Sequence, residues 1–299
     1  MRSMFMLKVL LDTDIGGDID DAICLAYLLK EPQCDLIGIT TVSGQSEIRA
    51  EIADAICKVA GKTIPIVAGM DTTLQPIPIY PTPDGANALK NWEYSDFAKG
   101  DAPKFLYEKI KSFPHEITLI GIGNMTNIAA MFQRYPDAPR LLKGLYVMNG
   151  YFGKKPLPDA YYNWNSWADP LASKIVFNTP VDIHRVMPLE VTRQLTIKAE
   201  KAKDLLYMNT NLVKCIFDFG HAWLESSHTL TLHDPLAAIS VFYPDICGYR
   251  RGTVQVEVKK QAKLGATKFT SDKNGIIEIA TSVNKNRFYE ILSHTLGSS

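Results

Sequence analysis

The 299-residue sequence predicts an α/β fold built on a mostly parallel sheet, and three observations carry that expectation. Short β-branched runs alternate with amphipathic stretches of helical period. Connections of this length imply right-handed strand–helix–strand crossovers. The sequence contains no internal repeat and no linker-like shift of composition, so residues 1–299 are expected to form one domain.

The elements follow in order. Val9, Leu10 and Leu11 form a buried-strand candidate, and Ala22, Leu25, Ala26 and Leu29 then recur at the spacing of one helix face. Residues 36–42 read as a second strand. Ile52, Ala55, Ile56 and Val59 repeat the helical spacing, and residues 64–67 follow as a third strand. The rhythm breaks over residues 71–103, where Pro76, Pro78, Pro81 and Pro83 crowd the first half; long irregular segments in compact domains are more often functional than decorative. It resumes with a strand at 117–122, a helix from about Met125, and strands at 145–148 and 181–186. A second irregular loop, 153–167, lies between those two strands. Residues 252–258 and 275–280 suggest a hairpin or paired edge strands before a closing helix from Lys285.

Lys and Arg number 32 against 32 Asp and Glu, a balance that argues against a nucleic-acid partner, because phosphate binding shows as a basic excess. No run of about 18 apolar residues is present, so no membrane span is expected. The first residues lack the pattern of a secretion signal. Cys24, Cys34, Cys57, Cys215 and Cys247 are scattered, odd in number and free of CxxC spacing. They read as reduced thiols in a cytoplasmic protein.

Neutrality conceals a local extreme. Between Asp12 and Asp21, Asp12, Asp14, Asp18, Asp20 and Asp21 make five carboxylates in ten residues, where the first strand gives way to the first helix. In open α/β sheets the ligand crevice lies outside the carboxyl ends of the strands. Helix capping accounts for one or two of them and not for five. Close carboxylates raise one another's pKa unless a cation holds them ionised, and an oxygen-only set suits Ca²⁺ or Mg²⁺ rather than Zn²⁺. Three more segments fall at strand ends: 121–127, a small polar turn; 163–170, with Asn163, Trp164 and Asn165 before a helix capped by Asp169; and 233–238, with His233 and Asp234 before Pro235. Taken alone, Asp234 reads as a helix cap or a ligand, and His233 as a surface histidine.

Together these segments resemble the nucleoside hydrolases, the inosine/uridine-preferring N-ribohydrolases. The family pattern D-x-D-x-G-x-D-D is matched by Asp12, Asp14, Gly16, Asp20 and Asp21. Its later motifs are matched by Gly44-Gln45, Met125-Thr126-Asn127, Asn163-Trp164-Asn165 with Asp169-Pro170, Leu189-Glu190-Val191-Thr192 and His233-Asp234-Pro235-Leu236-Ala237. The resemblance spans nearly the whole chain. It implies a single Rossmann-like domain, Ca²⁺ held by Asp14, Asp21, the Thr126 carbonyl and Asp234, and Asp14 as general base towards a water. It also implies substrate contacts from Asp20, Gln45, Met148, Asn163, Trp164 and Asn165, and His233 as the group that hydrogen-bonds or protonates the departing base. The expected partner is a small nucleoside-like substrate, cleaved to base and sugar through an oxocarbenium-like transition state, in a homodimer or homotetramer by analogy. Phe219, His221 and Trp223, aromatic at helical spacing, are candidates for stacking on the base.

The sequence departs from the family pattern at three places. Two extra residues precede Asp20, leaving Asp18 without a counterpart and as an alternative ligand. Gln45 stands for an asparagine, and Asn163 for a glutamate expected at the ribose 5′-hydroxyl. With Lys154 and Lys155 nearby in sequence, a 5′-modified substrate is one alternative. A catalytically weak paralogue that senses a ribosyl ligand is another. A phosphatase of the haloacid-dehalogenase type shares D-x-D but leaves Asp20, Asp21, His233 and Asp234 unexplained.

Overall fold

The computed structural model describes residues 6–75, 82–153, 163–198, 201–202, 210–227 and 229–297. The sequence readings at Pro76, Pro78, Pro81, Lys154 and Lys155 lie outside the described residues.

The apolar runs become strands because both of their faces are covered. β1 (Leu7–Thr13), β2 (Cys34–Thr41), β3 (Ile66–Ala68), β4 (Ile117–Gly121), β5 (Gly144–Met148) and β6 (His184–Met187) pair in parallel. The full sheet has nine strands in the order β10-β9-β11-β6-β5-β4-β1-β2-β3. β11 (Ile277–Val283) joins β6 in parallel, and β9 (Cys247–Val256) and β10 (Thr267–Ser271) extend it antiparallel. A separate two-stranded ribbon pairs β7 (Thr196–Lys198) with β8 (Thr229–Thr231). Strand order reverses between β1 and β4, the switch point where α/β sheets open a crevice.

Helices cover both faces. α1 (Asp20–Lys30), α2 (Ser46–Val59), α9 (Asn211–Phe219), α11 (His233–Phe242) and α12 (Lys285–Gly297) pack into one apolar layer with Ile23, Ile52, Ile216 and Leu236 at its centre. α3 (Ala102–Ser112), α4 (Thr126–Arg134) and α7 (Pro170–Phe177) form the other with Leu106, Ile128 and Val176. Short helical turns α5 (Ala138–Leu141), α6 (Trp164–Ala168), α8 (Leu189–Thr192) and α10 (His221–Ser226) sit in the connections. The cysteines are unpaired, as expected. No helix among the described residues is long and apolar enough to cross a membrane.

Several sequence expectations are corrected in detail. The third strand starts at Ile66 rather than residue 64, because Pro65 offers no N–H and contributes only its carbonyl, to Ile39. The strand expected at 181–186 runs from His184 to Met187. The expected edge pair is real, β9 against β11, but β10 lies between them in sequence and takes the outer edge. The structure also adds α3, capped by the Asp101 carboxylate on the Lys104 N–H, with Pro103 in its first turn.

One buried carboxylate lashes the second layer to the crevice. Asp169 caps α7 through the Ala172 N–H at 3.0 Å, accepts from the Leu74 N–H at 2.7 Å, and receives the Thr126 hydroxyl at 2.7 Å. Asp169→Ala removes all three bonds and leaves buried donors unpaired. A stability loss of about 2–4 kcal/mol is expected in urea denaturation, and a loss under about 1 kcal/mol would contradict this account.

Candidate active site

The crevice at the switch point is a cavity of about 480 Å³. Much of its wall is built from carboxylates. β1 carries Asp12 near its end, and Asp14 follows just beyond its last residue, Thr13. Asp12 faces inward, where it accepts from the Thr40 hydroxyl at 2.6 Å and the Asn127 amide at 2.7 Å, so it locks β1 to β2 and α4. Asp14 faces the cavity. Gly16 then takes φ 109°, and a Cβ there would strike Ile52 and Pro83 at 2.8 Å. That turn returns the chain so that Asp18, Asp20 and Asp21 also line the cavity, the latter two in the first turn of α1. One oxygen from each of these three lies within 4.8 Å of the others.

Asp234, in the first turn of α11, completes the cluster from the far side of the sheet's switch point. The two helix starts are joined directly: Asp20 Oδ2 accepts from the backbone N–H groups of His233 at 2.9 Å and Asp234 at 3.1 Å. Asp21 accepts the Thr13 hydroxyl. Burial and mutual repulsion push these carboxyls up. Asp20 rises to about 6, chiefly through burial, and hydrogen bonds from Asp18 and the two N–H groups restrain it. Burial, followed by the charge of Asp20, raises Asp18, and burial with the charges of Asp14 and Asp18 raises Asp21. Asp234 is raised by burial and then by Asp20 and Asp21. Asp12, behind the cluster, is pushed up to about 7 by burial.

Arg49 on α2 is the cluster's internal counter-charge. It is 5% exposed and lines the cavity. Its Nε donates to the Ser43 and Gly44 carbonyls, and its Nη1 to those of Asp14 and Ile15, so one guanidinium holds the loops after β1 and β2 together. The same charge lowers Asp14 and Asp21 against the effect of burial. Sequence reading missed it, although its place three residues before Ile52, on the apolar stripe, was the available signal.

The rest of the wall is more apolar. Met148, Leu189, Trp164 and Trp223 line it, with His233 and Arg193. Burial holds His233 down to about 4, with Asp18 pulling it up and Arg193 pushing it further down. Asn165 bridges the strand ends, its Nδ2 donating to the Ile122 carbonyl at 2.6 Å and the Met148 carbonyl at 2.9 Å; Oδ1 is then its remaining polar atom. Asn163 lines the cavity but caps α6: its Oδ1 accepts from the N–H groups of Gly150 and Ser166, both at 3.1 Å.

Four sequence candidates stand elsewhere. Thr126 does not line the cavity; as the first residue of α4 its carbonyl points along the helix, away from the strand ends, and its hydroxyl serves Asn124 and Asp169. The strand-end residue lining the cavity there is Ile122, and a Cβ on the following Gly123 would lie 3.1 Å from Asp14 Oδ1. Gln45 turns its longer arm away to the Thr82 hydroxyl at 2.8 Å. Phe219 is core, 3% exposed, and His221 is at the surface beside Glu225. Of that aromatic stripe only Trp223 reaches the cavity, because Gly220 ends α9 and redirects the chain.

The arrangement is an oxygen-only cluster able to hold a divalent cation, sharing one small cavity with an imidazole and apolar walls. Comparison with known proteins agrees with this chemistry. The profile of the inosine-uridine preferring nucleoside hydrolase family matches residues 9–290. Uridine nucleosidase 1 of Arabidopsis thaliana is 27% identical over 270 residues, covering 84% of this chain and 79% of its own. The non-specific ribonucleoside hydrolase RihC of Salmonella newport is 28% identical over 270 residues, 87% of each chain. A solved plant nucleoside hydrolase, the PpNRh1 enzyme, superposes with a TM-score of 0.84 at 26% identity, over 98% of this chain and 99% of that one. The protein is therefore an enzyme of the glycosidase class and belongs to the inosine-uridine preferring nucleoside hydrolase family.

Proposed function

We propose that this enzyme cleaves the N-glycosidic bond of a ribonucleoside with Ca²⁺ as its resident cation. The observation that carries the reading is the lining of one cavity, in which five carboxylates share the wall with His233, Met148, Leu189 and two indoles. The donors fit a hard cation, since Asp14, Asp18, Asp21 and Asp234 supply only oxygen, and burial raises all four, with neighbouring carboxylates raising Asp18, Asp21 and Asp234 further. We assign Asp14, Asp21 and Asp234 as its holders, with the Ile122 carbonyl in the place the sequence suggested for Thr126. Asp18 joins through its proximity to Asp21. When bound, such a cation acidifies water and orients vicinal sugar hydroxyls.

The chain's own groups then divide the work. Asp14 accepts the proton of the attacking water. The Asp20 carboxylate, fixed by two backbone N–H groups, and Asn165 Oδ1 meet the ribose hydroxyls. The carboxylates on the cavity wall stabilise positive charge growing on the sugar. His233 hydrogen-bonds the departing base, while Trp223, Leu189 and Met148 exclude water around it. Asn163 Oδ1, the atom on which the 5′-modified alternative turns, accepts from the Gly150 and Ser166 N–H groups and caps α6.

Incubation with purine and pyrimidine ribonucleosides should release free base, with activity lost to a chelator. Asp14→Asn should lower kcat by about 10²- to 10⁴-fold. Tight ribose binding without turnover across the panel would instead identify a sensor. Ca²⁺ at 100 times its Kd should stabilise the chelated protein by about 2.7 kcal/mol, a Tm rise of about 5 °C. Asp21→Asn should abolish that rise, and an unchanged Tm on adding Ca²⁺ to the parent protein would refute the assignment.

The chelated protein should also become less stable as pH rises from about 4 to about 7. Asp20 and Asp12 titrate near 4 when unfolded and at about 6 and about 7 when folded, so the folded state binds more protons across that window. Denaturation at stepped pH, with and without Ca²⁺, measures this. A metal-free stability that rises over the window would contradict it.

A further inference from the structure

We propose that Thr192 is a positioning residue for His233, holding the imidazole by Nδ1 so that Nε2 carries the N–H offered to the departing base. The inference rests on the nucleosidase reading and deepens it.

β6 ends at Met187, and Pro188 leads into the single turn of α8. Its last residue, Thr192, is fully buried, and its hydroxyl lies 2.7 Å from His233 Nδ1. The residues on either side of that turn, Leu189 and Arg193, line the cavity, so the segment that grips the ring is also part of the wall. His233 is thereby held at both ends. Its backbone N–H is tied to Asp20 at 2.9 Å, and its ring is tied to Thr192. With Nδ1 engaged by the wall, ring geometry turns Nε2 away from Thr192.

A threonine hydroxyl has one proton to give and can accept in return. Its other contact, to the Leu189 carbonyl, is 3.3 Å, against 2.7 Å to the imidazole. At 3.3 Å the carbonyl contact is long for an O–H donor and 2.7 Å to Nδ1 is not, so of the two arrangements open to the pair we assign the one with the hydroxyl proton on the ring side. A neutral imidazole bears a single N–H, and a hydroxyl donating to Nδ1 leaves it on Nε2. Without that donor the ring can tautomerise or rotate, and either change removes the N–H from the leaving base. The consequence falls on one step: departure of a base that needs a hydrogen bond to leave, and not binding of the sugar.

Two measurements test this. Long-range ¹H–¹⁵N correlation spectra of histidine-labelled protein should show His233 as the Nε2–H tautomer, a mixture in Thr192→Val, and the parent pattern in Thr192→Ser. Kinetically, Thr192→Val should lower kcat on inosine and uridine by about 10- to 100-fold with KM changed less than about threefold. The same variant should hydrolyse p-nitrophenyl riboside, whose leaving group departs without a proton, within about threefold of the parent, and Thr192→Ser should recover nucleoside turnover to the same margin. An Nδ1–H tautomer in the parent, or equal losses on both kinds of substrate, would overturn the proposal. A parent protein that cleaves no riboside overturns the nucleosidase reading instead, while the spectra still decide whether Thr192 holds the ring.

Discussion

Burying carboxylates side by side is the constraint on which this structure turns. Asp14, Asp18, Asp20, Asp21 and Asp234 all face one cavity, with Asp12 fully buried behind them. Removing each charge from water costs several kcal/mol even after relaxation. The favourable local terms are smaller: a helix N-terminus is worth about 0.3–1 kcal/mol to an acidic side chain, rising to about 2 kcal/mol when partly buried. The starts of α1 and α11 are both used in this way, and Arg49 adds one full positive charge. These terms do not balance five anions. The remainder is met by protons or by a cation, which is why the raised carboxyl groups and the oxygen-only donor set describe one property.

The fold supplies the precision such a cluster needs. Carboxylates from β1, the β1–α1 turn and α11 converge because strand order reverses between β1 and β4 and leaves an opening at their carboxyl ends. Behind that opening the anchors are themselves polar and buried. Asp12 bonds Thr40 and Asn127, Asp169 bonds Thr126, and Asn165 bonds the carbonyls following β4 and ending β5. Each anchor crosses between elements far apart in sequence, so the cluster is shaped by the sheet rather than by its own loop. Arg49 does the same for the loops after β1 and β2.

Much of this was legible in the sequence, for identifiable reasons. Buried parallel strands and one-faced helices leave apolar runs and helical spacing, and both were read correctly for β1, α1, β2 and α2. What escaped had weaker signatures. β10 is an edge strand with polar, exposed residues such as Lys268 and Thr270, so it carries no apolar alternation. α3 buries Ala102, Leu106 and Ile110 at intervals of four, but it follows directly on the irregular segment. Residue type also says nothing of a backbone carbonyl's direction. Thr126 and Ile122 flank the same turn, and only the structure distinguishes the helix-bound carbonyl from the strand end. Gln45 preserves the amide of the family pattern yet is one methylene too long for the role, and finds Thr82 instead.

The exchange of glutamate for Asn163 follows from the same accounting of charge. A further carboxylate on the cavity wall would add an anion where five already oppose one another. An asparagine adds none, and its short amide can cap α6, which a glutamate's longer arm does less well. Having accepted the Gly150 and Ser166 N–H groups, the Asn163 oxygen has little left for a ligand. Under the proposed chemistry, polar recognition of the sugar therefore concentrates where Asp14, Asp20 and Asn165 line the cavity and meet the vicinal hydroxyls. On this arrangement a ribose lacking its 2′-hydroxyl loses more than one lacking its 5′-hydroxyl. Under the proposed chemistry, discrimination by the cis-diol then follows from gathering the acids around those hydroxyls and adding none at Asn163.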